Sequence, residues 1–168
     1  MGNNAFAGAF LNLYQMPGFG AAPDSSSVYG FYLHLDRELY HKPRTPGQGL
    51  RAWAAASLIL QPNVARLPLQ LNGGLVYTGL IPARDRDLTT LGRFPGRFSR
   101  DYLLNTPSAA QAPVSAMPGY ELVMELDHRF VVSPSIDIQP NLQIVVNPAG
   151  TGSLATALVL AAQAGIRF

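Results

Sequence analysis

Lysine occurs once in this chain of 168 residues and cysteine not at all. Charged residues make up only 13% of it, against the roughly 25% usual for a soluble domain. A surface so short of charge does not belong to an ordinary water-soluble globule. The chain is nevertheless 48% hydrophobic, and no apolar run reaches the ~18 residues that a membrane helix requires. Helix-spanning membrane proteins are thereby excluded. Strand-spanning ones are not, because only every second residue of a barrel strand has to be apolar. The missing cysteines rule out a disulfide framework and suit passage through an oxidising compartment. Eleven arginines and the one lysine face 10 acids for a net charge of +2, with both signs dispersed along the chain, so nucleic-acid binding finds no support.

What is present is period-2 alternation. Eight stretches carry it, near Asn4–Gln15, Ser27–Tyr40, Leu50–Gln61, Leu67–Leu80, Leu91–Leu103, Tyr120–Val132, Ser135–Asn147 and Thr156–Phe168. In the sixth, Tyr120, Leu122, Met124, Leu126, Phe130 and Val132 share one face while Glu121, Glu125, Asp127 and Arg129 share the other. A helix would scatter those charges around its circumference. The seventh repeats the pattern with Ile136, Ile138, Leu142, Ile144 and Val146 opposite Asp137, Gln139, Asn141 and Gln143. The last keeps one apolar face from Leu158 to Phe168. In the first, Phe6, Phe10 and Tyr14 compete with Ala7, Leu11 and Leu13 for the outside, and in the fifth Arg93, Pro95 and Arg97 interrupt the pattern. The expected fold is all-β, a single antiparallel transmembrane β-barrel segment over residues 1–168 with about eight strands. A soluble sandwich or lipocalin-like barrel also alternates, but its outward face should be rich in Lys and Glu.

Connections alternate in length, as short turns at one barrel rim and long loops at the other require. With Phe168 on the periplasmic side, Ser133-Pro134 is a periplasmic turn, and Leu104–Tyr120 and Gln15–Ser26 are extracellular loops. Tyr29, Tyr40, Tyr77, Tyr102, Tyr120 and Phe168, near strand ends, fit an interfacial aromatic girdle. Pro68 and Pro140 each remove a ladder donor and call for bulges near a rim. Met1-Gly2-Asn3-Asn4 lacks the basic start of a secretory signal, so a chain bound for the outer membrane is expected to have lost its leader or to be the C-terminal part of something longer.

Three stretches carry a family resemblance. They are Val28-Tyr29-Gly30-Phe31-Tyr32 running on to Asp36-Arg37-Glu38-Leu39-Tyr40; Gly74-Leu75-Val76-Tyr77-Thr78-Gly79-Leu80-Ile81-Pro82-Ala83-Arg84, ending in Asp85 and Asp87 before Leu91-Gly92; and Tyr120-Glu121 through Glu125-Leu126, Ser133-Pro134, Ile138-Gln139-Pro140-Asn141-Leu142-Gln143 and Asn147-Pro148-Ala149-Gly150, closing on Phe168. Residues 27–168 thereby resemble the C-terminal part of the carbohydrate-selective porins of the OprB family. The family strand after Leu91-Gly92 is usually smooth and apolar, and Arg93-Phe94-Pro95-Gly96-Arg97-Phe98 departs from it. The resemblance implies a sixteen-stranded barrel of which this is the C-terminal half. It further implies a bacterial outer-membrane location, passive uptake of mono- or oligosaccharides, no enzymatic activity, no cofactor, and a trimer or a single independent pore.

Sugars are polyols with apolar ring faces, so a sugar path needs paired charges or amides beside an aromatic, in weak multi-site contact. The inward candidates are Asp36, Glu38, Arg51, Trp53, Glu121, Glu125, Asp127, Arg129, Asp137, Gln139, Asn141 and Gln143. Trp53 has a second reading in the interfacial girdle, and the charges a second reading as ladders bracing the wall. Arg84-Asp85-Arg86-Asp87 reads as a solvated turn or as a contact to a neighbouring loop or subunit. His34 and Asp36 share a face but lack a serine with a supporting motif, and no metal-ligand spacing stands out. Phe168, with Ile166 and Ala164 on its face, resembles the sorting signal of the barrel-assembly machinery. Besides sugars, the expected partners are outer-membrane lipid, that machinery and a second copy of the chain. The alternative function is a small, non-conducting eight-stranded barrel with a structural or anchoring role, since eight strands leave an interior only wide enough for side chains.

Overall fold

The computed structural model describes residues 3–20, 25–107 and 113–168, and within them eight strands form one antiparallel meander. The strands are β1 (Asn4–Pro17), β2 (Ser25–His41), β3 (Gly49–Ile59), β4 (Leu69–Thr78), β5 (Leu88–Arg97), β6 (Tyr120–Val131), β7 (Ile136–Val146) and β8 (Ala157–Ile166). A one-turn helix, α1 (Arg100–Leu104), lies between β5 and β6. Each strand pairs with the next, and among the described residues β1 and β8 are the two edges. The fold is thus an open barrel wall. No helix among the described residues is long and apolar enough to cross a membrane.

The register fixes which residues share a face. Leu35, Ala54 and Gly73 lie in one cross-strand row, and Leu75, Leu91, Leu126, Leu142 and Leu160 follow one another in another. This apolar set is turned outward. Leu158 and Leu160 of β8 are 67% and 77% exposed, and Phe31, Leu33, Leu75, Leu91 and Leu126 are exposed as well. Soluble monomers rarely expose a contiguous apolar patch beyond about 300–600 Å². The buried apolar cluster is small, Phe98, Leu103 and Met117 with Leu67, Tyr102 and Val114 against it, and it sits at the rim opposite Phe168. The sheet therefore does not close over a hydrophobic interior.

Five expectations need correction. The fifth strand runs over Leu88–Arg97, not to Leu103, because Ser99 caps α1 by accepting a 3.0 Å hydrogen bond from the Tyr102 N–H. Tyr102 consequently stacks on Phe98, 5.5 Å between centroids, instead of ending a strand. The first two strands extend to Pro17 and from Ser25, which shortens the proposed Gln15–Ser26 loop; residues 21–24 of it, and 108–112 of the Leu104–Tyr120 loop, lie outside the described residues. Pro68 precedes β4, its carbonyl accepting from the Ile59 N–H at 2.8 Å. Pro140 does lie inside β7, where the β7–β8 register stays continuous and the β6–β7 pairing lapses between Asp127–Asn141 and Phe130–Ile138. The missing donor is absorbed by that gap rather than by a bulge.

Candidate functional site

The face opposite the apolar one is polar and holds two kinds of structure. The first is a set of aromatic rings laid along the wall. In β1, Ala5, Ala7, Ala9 and Leu11 pair with Leu35, Leu33, Phe31 and Tyr29 on the apolar face, so Phe6 and Phe10 fall on the polar one. Phe6 stacks on His34 at 4.8 Å and meets the edge of Tyr32 at 6.3 Å. A second group lies across β3 and β5, where Trp53 and Phe94 are 5.8 Å apart. Each group rests on glycine. A Cβ on Gly8 would collide with the Tyr32 ring, and one on Gly30 would approach Phe10 to 2.9 Å. One on Gly74 would stand 2.9 Å from Trp53 Nε1, and one on Gly92 2.6 Å from Phe94. Rings that cover strand glycines recover the packing that the missing side chain leaves out.

The second structure is a set of carboxylates, most of them held by cross-strand partners. Asp36 pairs with Arg51, directly beside Trp53, which is the register partner of Asp36. Glu125 accepts from the Gln143 amide at 2.7 Å. Asp127, only 6% exposed, is bonded to Thr90 and Gln139. Glu121 accepts from the Ala149 N–H at 2.8 Å. Asp137 accepts from both Arg129 and Arg167, at 2.6 and 2.7 Å, with Gly165 opposite it leaving room for its carboxylate. Glu38 lies 3.5 Å from His41.

Register gathers these residues into rows. Asn4, Asp36, Trp53, Gly74, Gly92, Glu125 and Gln143 are successive cross-strand neighbours, and Glu38, Arg51, Val76, Thr90, Asp127 and Asn141 form the next row. Eight of the twelve candidate residues thus fall in two adjacent rows. Gln139 and Asp137 face Gln163 and Gly165 nearer the Phe168 rim, Arg129 pairs with Leu88, and Glu121 pairs with Gly96 toward the other rim. Trp53 stands on the polar face, away from the outward aromatics, and Phe168 lies fully exposed beyond β8.

Sequence reasoning missed Phe6, Phe10, Tyr32 and Phe94 on the polar face. Phe6 and Phe10 were ambiguous because both faces of β1 are apolar. The available signal was a glycine beside the ring: Gly30 opposite Phe10 and Gly8 opposite Tyr32, which the register reveals, and Gly92 two residues before Phe94 in the same strand.

Sequence reasoning also left Asp87 undecided. Its carboxylate is 3% exposed and joins the β4–β5 connection to β6, accepting from the Val131 N–H at 2.9 Å and Arg84 Nε at 2.6 Å, with His128 Nε2 at 3.4 Å. Burial pushes this carboxyl up, but the Val131, Arg84 and His128 hydrogen bonds outweigh it and hold the group below the ordinary aspartate value. The turn therefore contacts its neighbour through Asp87, while Asp85 and Arg86 remain exposed.

The expected alternation of short and long connections is not seen between β1 and β5, where 18–24 matches 42–48 in length and 60–68 matches 79–87. An antiparallel meander with an exposed apolar face and its acids and amides on the opposite one is the wall of a membrane β-barrel of the porin class. The model of the carbohydrate-selective porin family, OprB, matches residues 5–168, and the chain belongs to that family, one of channels rather than enzymes. No curated protein matches the chain. Among solved structures, the high-pH structure of Pseudomonas putida OprB superposes with a TM-score of 0.81 at 19% identity, covering 96% of this chain and 43% of that one. The chain thus spans less than half the length of that structure, and at this identity the likeness is one of fold.

Proposed function

We propose that this chain forms part of the wall of an outer-membrane pore through which sugars diffuse passively, with its polar face lining the water-filled path. The observation that carries the reading is the juxtaposition on one face of aromatic rings, Trp53 with Phe94 and Phe6 with Tyr32, and cross-strand polar pairs such as Asp36–Arg51 and Glu125–Gln143. A ring face offers a pyranose an apolar surface to slide on. The paired groups already have partners, so they exchange hydrogen bonds with passing hydroxyls without holding them, as throughput requires. Asp36, Glu38, Arg51, Trp53, Glu121, Glu125, Asp127, Arg129, Asp137, Gln139, Asn141 and Gln143 are proposed as the lining of this part of the path.

Unsatisfied backbone groups in hydrocarbon cost several kcal/mol each, so the edges of β1 and β8 require partners. Further strands, of the same polypeptide or of a second copy, would supply them and complete the barrel. A small closed barrel would need β1 bonded to β8, and here they are opposite edges of the sheet. We further propose that Phe168, with Ile166 and Ala164, is the strand end read by the barrel-assembly machinery.

The protein carrying this chain, inserted in a planar bilayer, should give ohmic steps whose current falls on addition of millimolar sugars. Steps indifferent to every sugar tested would reduce the reading to a general porin. Folded protein that gives no steps would favour a structural barrel instead.

A further inference from the structure

At the rim opposite Phe168, Phe98, Arg100, Leu103 and residues 114–119 of the connection from β5 to β6 line one side of a cavity of about 720 Å³ whose other side is the sheet. That size falls within the roughly 300–1,000 Å³ range of ligand pockets. By register its floor belongs to the apolar face: Leu69 and Leu71 of β4 pair with Leu58 and Ala56, Pro95 of β5 pairs with Leu122, and Tyr120 begins β6. Leu103 and Met117 close it from the other side. An apolar slot floored by lipid-side residues suits an acyl chain.

Its charge has one sign. Arg97 and Arg100 line the cavity and are exposed, and Arg93 lies four residues from Arg97 on the same face of β5. None of the three has an ion-pair partner among the described residues. Among the described residues no acid stands on the outward face of a strand: Asp36, Glu38, Glu121, Glu125, Asp127 and Asp137 all fall on the polar side by register. The acid of the connecting segment, Asp101, is not among the residues that line the cavity. Guanidiniums at the edge of a hydrocarbon layer need an anion within reach, and phosphate matches their fork of donors.

We infer that this cavity binds a membrane lipid bearing a phosphomonoester headgroup, one acyl chain lying against Leu103 and Met117 and the phosphate held by Arg97 and Arg100. The inference rests on the outward face meeting lipid, but not on what passes through the pore. Binding to the intact, detergent-solubilised protein carrying this chain is to be followed by native mass spectrometry, with dioleoyl phosphatidic acid and dioleoylglycerol as probes that differ only in the phosphate. The phosphatidic acid adduct should form and the diacylglycerol adduct should not. Arg97→Gln or Arg100→Gln should each weaken it about fivefold and the double variant about twenty-five-fold, from about 1 kcal/mol per basic residue at a lipid surface. Leu71→Trp, which fills the exposed floor, should abolish the adduct with both arginines in place. Inorganic phosphate at equal concentration should not compete. Equal binding of both lipids, no adduct, unchanged affinity in the double variant or displacement by inorganic phosphate would each overturn the inference. Sugar-sensitive conductance, measured on the same variants, reports separately on the pore, so loss of either reading leaves the other intact.

Discussion

Replacing Trp53 with Ala removes the larger ring of the mid-wall platform and tests whether that platform meets sugar. The ring lies over Gly74 and beside Phe94, on the polar face next to the Asp36–Arg51 pair. Stacked ring contacts are worth about 0.5–1.5 kcal/mol beyond their buried area. If a sugar face gains a similar amount against Trp53, its loss raises the sugar concentration that halves the channel current by about two- to tenfold. Because the ring lies along the wall and not across the lumen, conductance in sugar-free salt should hold or rise slightly. Trp53→Phe should keep most of the sugar effect, and Phe94→Ala should mimic Trp53→Ala in part, since the two rings support each other. The assay is single-channel recording with graded sugar on the side of addition. A half-blocking concentration unchanged in Trp53→Ala, or a fall in sugar-free conductance, would refute the platform argument.

The other predictions concern rim, charge and assembly. Asp87→Ala leaves the Val131 N–H and two side chains without their acceptor, and should lower stability by about 1–3 kcal/mol, the usual cost of an unsatisfied buried group, read as a reduced urea midpoint of the detergent-folded protein; an unchanged midpoint would mean that the turn is not held by this carboxylate. Because the Asp87 carboxyl is held below its ordinary 3.8, its contribution is present above that value and is lost as pH falls below it toward the folded-state pKa; an acid unfolding midpoint that does not shift in Asp87→Asn would contradict this. Glu125→Gln with Asp127→Asn removes two carboxylates from adjacent rows of the polar face, and the reversal potential in a salt gradient should move toward anion preference. Deleting Phe168 should reduce the folded fraction recovered from membranes; full assembly of the shortened chain would limit Phe168 to an interfacial role.

Much of the wall was legible because its alternation is strict. In β6 and β7 the charges and amides occupy every second position, and a period of 2 admits one arrangement of faces. Legibility failed where both faces of a strand are alike or where a local motif competes. In β1, alanines face outward and phenylalanines inward, which reverses the simple rule that the bulkier apolar set faces lipid; the pairing of Phe6 with His34 and of Phe10 with Gly30 decides it, and one sequence does not display that pairing. In β5 the alternation was read past Arg97, although Ser99 with Asp101 two residues on already spelled a helix start. Asp87 looked like one charge among four in a solvated turn. Its burial depends on the end of β6, 44 residues away, which brings the Val131 N–H to it. The two adjacent rows of candidate residues were likewise hidden, since their alignment is a property of register and not of any single strand.

The absence of cysteine from the chain makes the central claim directly testable by single-cysteine labelling in a conducting bilayer. Glu125→Cys and Asn141→Cys, on the polar face, should react with a membrane-impermeant charged thiosulfonate and step the current down. Their neighbours Leu126→Cys and Leu142→Cys, on the apolar face, should react only with a lipid-soluble maleimide and leave the current unchanged. The reverse pattern, or equal labelling of both faces by the impermeant reagent, would show that the polar face does not line a water-filled path.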